Sequence, residues 1–205
     1  MGLLDIFKRK PKAEAPSTQI DILLRDTDSL AATVETLRNA GAGDADIPVT
    51  RPVVDGVVEV LALNAGPSFQ LMSSAHLDQQ GLSYDAARDI AMARLRAAAA
   101  DLTVEGGGGR YRARFTPDLD LSASFLLTTE TWLDLDALDG PPVFAVGTRV
   151  SIHACGANDP DSVAGMKEIA AVMHAESVAD PVANGRPLTP QLLTIKGGVL
   201  GPFDA

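Results

Sequence analysis

The chain has 205 residues, 46% of them hydrophobic and 21% charged, enough to bury a core and too apolar for a disordered, collagenous or rod-like protein. Its 27 acidic and 17 basic residues leave a net charge of −10, which argues against nucleic acid as a partner, because phosphate binding needs a concentrated basic surface. The single cysteine, Cys155, excludes an intrachain disulfide and any zinc site with two thiolates, and fits a reducing cytoplasm.

Residues 1–18 read as an amphipathic basic tail and linker. Lys8, Arg9, Lys10 and Lys12 face only Asp5, so the first twelve residues carry +3 and the remainder −13. Leu3, Leu4 and Phe7 form an apolar turn beside Lys8, Arg9 and Lys10, and Pro11 and Pro16 stop any helix. That pattern fits a weak peripheral contact with an anionic membrane or with a protein partner, and equally a loose terminus. The basic residues follow the apolar stretch, the reverse of a signal peptide. No apolar run reaches the roughly 18–20 residues of a membrane span. Gly2 lacks the hydroxyl residue that myristoylation needs four positions on.

Residues 19–205 are expected to form one domain. Leu30, Val34 and Leu37 recur at helical spacing, so a helix is predicted from an Asp28 cap to about Asn39, with Gly41 as its stop. Val53 to Asn64 is dense in β-branched residues around Asp55-Gly56, a hairpin turn or a bulge, and Ser68 to Ala75 is a second strand candidate. Ser83 starts a helix with the stripe Ala87, Ala91, Leu95, Ala98 and Leu102, leaving Arg88, Asp89 and Arg96 to face away. Gly106 to Gly109 reads as a connector leaving that helix, and Tyr111 to Phe115 alternates as a strand. Leu121 to Leu135 fits strand or helix.

Pro142 to Cys155 reads as a buried strand. Asp159-Pro160 opens a helix with the stripe Val163, Met166, Ala170 and Met173, running to about Ala175. Leu192 to Ile195 suggests a final edge strand. Helices and strands mix without a βαβ repeat, which predicts an α+β fold: a mainly antiparallel sheet with two or three helices packed on it.

Leu71 to Gly198 resembles the YtpQ-like proteins, a bacterial family of unknown function. The resemblance rests on His76-Leu77, Gly81-Leu82-Ser83, Ser124 to Leu127 with Trp132, Phe144 to Arg149, Asp159-Pro160 and Leu188-Thr189-Pro190. The family's late strand ends in Arg followed by Asp; here Arg149 is followed by Val150, which weakens the idea of an acting Arg and Asp pair. The resemblance implies an α+β domain of the bacterial cytoplasm, with no reaction or ligand attached.

Chemistry is thinly signalled. His153 and Cys155 share a face if they lie on a strand, the minimum for a thiol nucleophile and its base, and equally an ordinary packed strand end. The three histidines show no metal-ligand spacing, and no cofactor motif stands out. Asp118 with Asp120, and Asp134 with Asp136, are close enough to share a cation or a proton, and equally plain solvated loop charge. Arg110, Arg112 and Arg114 alternate on one strand face and, with Arg149, are the candidates for recognising an acidic partner.

The reading that follows is a non-enzymatic binding or scaffold domain with a protein partner and a basic amphipathic tail. A thiol-dependent hydrolase or transferase using Cys155 and His153 is the alternative. A homodimer formed through an exposed strand edge is a third reading.

Overall fold

The structure, a computed structural model, describes residues 19–64 and 69–204. The tail residues Leu3, Leu4, Phe7, Lys8, Arg9 and Lys10 lie outside the described residues. The fold is α+β, and every strand pairing among the described residues is antiparallel, in two sheets rather than one.

The first sheet centres on β3 (Val57–Asn64). It pairs along its whole length with β1 (Gln19–Asp26), while β2 (Thr50–Val54) and β4 (Phe69–Leu71) share its other edge. Asp55-Gly56 is the hairpin turn between β2 and β3, as the residues suggested. Strand β1 has no counterpart in the sequence reading, because Asp21, Arg25 and Asp26 break its apolar run. All three are nonetheless buried, and Asp21 and Arg25 are held by partners distant in sequence. Arg94 donates to Asp21 at 3.1 Å, and Arg25 pairs with Asp120 at 3.3 Å. Asp26, rather than Asp28, accepts from the backbone N–H of Ser29 at 2.7 Å and caps α1 (Thr27–Asn39).

The expected strand over Ser68 to Ala75 is short. Only Phe69–Leu71 is extended, and α2 (Ser74–Gln80) follows. The Ser73 N–H donates to the His76 ring at 3.1 Å, so His76 fills the capping place usually taken by Glu, in a helix too short to show periodicity. Helix α3 (Tyr84–Ala98) starts at Ser83 as predicted and buries Ala87, Ala91, Met92 and Leu95 against β1 and β3. Arg88 does not face away: its Nε donates at 2.7 Å to Glu59, a carboxylate buried on β3.

The second sheet has the order β10-β9-β7-β8-β6-β5. Its members are β5 (Leu102–Gly107), β6 (Arg110–Phe115), β7 (Pro142–Ala145), β8 (Ile152–Gly156), β9 (Leu192–Lys196) and β10 (Val199–Pro202). Three expectations change here. Gly106 to Gly109 does not leave a helix; it closes a hairpin in which Gly108 and Gly109 have φ of 60° and 82°, the positive values a tight two-residue turn requires. The single strand over Pro142 to Cys155 divides into β7 and β8 around a loop at 146–151. There Gly147 lies so close to α4 (Pro160–Ala179) that a Cβ would sit 2.5 Å from the Ala170 carbonyl oxygen. Strand β9 is interior, and β10 is the edge.

Leu121 to Leu135 is mostly neither strand nor α-helix. Residues Leu119–Thr131 form 3-10 turns kinked at Thr128, with Phe125 and Leu126 buried. Their hydroxyls complete the neighbouring strands: Ser124 accepts from the Leu24 N–H at 3.2 Å and Ser122 from the Phe115 N–H at 2.9 Å. This segment packs along β1 on the side away from β3, with the Leu24 N–H bonded to it. One face of the second sheet, with Ala113, Phe115, Phe144, Ile152 and Leu193, joins the first sheet and α3 in the main core. The other face packs Val143, Ala145, Cys155 and Leu192 under Met166 and Ala170 of α4.

Candidate binding site

The second sheet's outer face carries the predicted arginine row and the predicted thiol. Arg110 donates through Nε to Ser162 at the start of α4, and Arg114 pairs with Glu105 across the hairpin at 3.6 Å. Arg112 stands opposite His153 in the β6/β8 register, and its buried Nε has no hydrogen-bond partner. Burial, and after it the charge of Arg112, pulls the His153 imidazolium down to about 4. Cys155 is on the same face and fully buried; burial, reinforced by Asp159, pushes its thiol up. A thiol held protonated near an imidazole held neutral is the opposite of an activated thiolate, which needs a depressed pKa.

Arg149 belongs to a different place. It projects from the loop between β7 and β8, whose backbone is pinned on both sides: the Arg149 N–H donates to the Arg186 carbonyl at 3.1 Å, and the Arg149 carbonyl accepts from Ala123 at 3.0 Å. These bonds bring residues 25, 120, 149 and 186, from four separate segments, to one cleft. Arg25 and Arg149 are 8% and 3% exposed, and both aim at the same oxygen, Asp120 Oδ2, at 3.3 and 3.5 Å. Among the described residues Arg149 Nε is buried without a hydrogen-bond partner, as is Asp26 Oδ2. Among the described residues Arg186 makes no ion pair; its exposed side chain borders the same cleft.

The electrostatics follow from this crowding. Burial, and next to it the charge of Arg149, pulls the Arg25 guanidinium down to about 9 despite Asp120. Burial lowers Arg149 in the same direction, opposed by Asp120. Two guanidiniums that each need an anion share one, and water reaches neither freely. Asp118 Oδ1 accepts from the Asp120 N–H at 3.1 Å, so this acidic pair serves a local turn rather than a cation, and burial raises the Asp118 carboxyl. Asp134 and Asp136 repeat that turn at 3.1 Å.

The cleft is a cavity of about 540 Å³. Its lining combines the charged Arg25, Arg149, Arg186, Asp118 and Asp120 with the hydroxyl residues Ser29 and Thr33 and the apolar Leu30, Phe69 and Leu71. Sequence reasoning reached Arg149 and the Asp118 and Asp120 pair separately and missed Arg25 and Arg186. The available signal was an arginine directly after the apolar run Ile22 to Leu24, where a charge needs a buried partner. Among the described residues no group of three or more His, Cys, Asp and Glu is placed to hold a metal ion, and no helix is long and apolar enough to cross a membrane. No family model, curated protein or solved structure matches the chain.

Proposed function

We propose that the protein is a non-enzymatic binding or scaffold domain of the bacterial cytoplasm, in keeping with its resemblance to the YtpQ-like proteins, and that it recognises an acidic group on its partner through the Arg25–Arg149–Arg186 cleft. The observation that carries this reading is the buried Arg25 and Arg149 pair sharing one oxygen of Asp120, with Arg149 Nε left unpaired beside an open cavity. A guanidinium offers fixed, forked donors that suit carboxylate and phosphate oxygens, and a desolvated one gains most from a second anion. The basic tail, with Lys8, Arg9 and Lys10, supplies a separate contact with an anionic membrane or a partner.

The test is a titration of the full-length protein with acetate and with inorganic phosphate at constant ionic strength, following the arginine Nε–H resonances by NMR. Saturable shifts of Arg149 that weaken in Arg186→Ala support the site. Shifts that follow ionic strength alone, or that persist unchanged in Arg186→Ala, refute it.

A further inference from the structure

Three guanidiniums and two carboxylates line the cleft, and their balance selects the charge of what enters. Arg25 and Arg149 pair with Asp120, Arg186 and Asp118 line the same cleft, and Asp26 acts on both buried arginines from outside its lining. Arg149 Nε and the Arg186 guanidinium are the donors left over. One added negative charge satisfies them. A second would be placed against Asp118 and Asp120 in a site partly screened from water, where like charges repel strongly. The resident Asp120 shows how a carboxylate sits here, with one oxygen between two guanidiniums.

The apolar part of the lining adds a second selection. Leu30 is buried and Phe69 and Leu71 are half-buried, at the end of α1 nearest β1 and along β4. An inorganic ion would leave this apolar surface wet, whereas a ligand with an apolar body covers it and gains from its removal from water. Resting on the reading of the cleft as an acidic-group site, we infer that its ligand is a small organic monocarboxylate, with its head on Arg149 and Arg186 and an apolar body against Leu30, Phe69 and Leu71.

The experiment is calorimetric titration of the full-length protein with acetate, butanoate, hexanoate and octanoate, each below its micelle concentration, alongside hexanol, hexyl phosphate and inorganic phosphate. The unmodified protein carries the decisive series. Affinity rises about two- to fourfold per methylene as the chain covers the apolar lining. Hexanol binds at least about tenfold more weakly than hexanoate, and dianionic hexyl phosphate is weaker than hexanoate, because each lacks the matched single charge. Phe69→Ser flattens the chain-length series while acetate binding is kept, and Arg186→Ala weakens every carboxylate. Equal affinity for acetate and octanoate, or tighter binding of either phosphate than of hexanoate, overturns this inference and leaves acidic-group recognition standing. Silence toward every anion removes both.

Discussion

The protein holds two triplets of arginines that one kind of side chain builds in opposite ways. Arg110, Arg112 and Arg114 come from one strand at period two and lie along one sheet face, where their partners are Ser162 and Asp159 for Arg110, and Glu105 for Arg114. Arg25, Arg149 and Arg186 come from a strand and two loops and meet around Asp120, with two of the three buried. Most of the first triplet's charge is met by water and by pairs at the sheet edge. The second is desolvated, mutually repelling and short of anions. Spacing along a strand predicts which side chains are neighbours, whereas desolvation decides which of them has binding energy to offer.

Removing the shared anion breaks this contrast most severely. Asp120→Ala leaves two buried guanidiniums facing each other, and is expected to cost about 2–3 kcal/mol in denaturant unfolding. That is below the full penalty for a broken buried pair because the Asp120 side chain is 35% exposed. Loss of less than about 0.5 kcal/mol would show that water already neutralises the cleft. Asp26→Ala removes the cap of α1 and a carboxylate acting on both buried arginines, and about 1 kcal/mol is expected from the cap alone. The equivalent change in the outer row, Glu105→Ala, deletes an exposed pair with Arg114 and should change stability by less than about 0.5 kcal/mol.

The outer row carries a pH signature of its own through His153. Its imidazolium is held down to about 4 by burial and then by Arg112, whereas in the unfolded chain it titrates near 6.5. Between these values the unfolded state binds the proton and the folded state does not. Stability is therefore full above about 6.5 and declines as the pH falls toward 4. His153→Gln removes this component, so the mutant's stability curve is flatter across that window in parallel urea titrations. A native His153 that titrates by NMR near its ordinary value would contradict the burial of the Arg112–His153 pair.

Local chemistry was readable where it is self-contained. Ser83 and Asp159-Pro160 announce α3 and α4 because a cap and a first-turn proline act within a few residues. The β2–β3 turn at Asp55-Gly56 and the alternation in β6 are equally local. What stayed hidden depends on partners far along the chain. Strand β1 has buried charges whose distant partners include Arg94 for Asp21 and Asp120 for Arg25. The break between β7 and β8 is set where Gly147 meets α4, and the 3-10 segment is held by bonds to Leu24 and Phe115. Arg149 was singled out with the outer row, yet it pairs with Asp120 beside the buried Arg25.

By itself, then, the sequence determined the α+β class, the two long helices with their starts and the central hairpin of the first sheet, since caps, turns and apolar periodicity are short-range properties. Only the tertiary structure decided that the strands divide into two sheets, that Cys155 is a buried thiol, and that four distant segments converge on one cleft. Those outcomes depend on desolvation and on pairing between residues distant in the chain, such as Arg25 and Asp120, 95 positions apart, and no pattern along the chain encodes the dielectric around a charge.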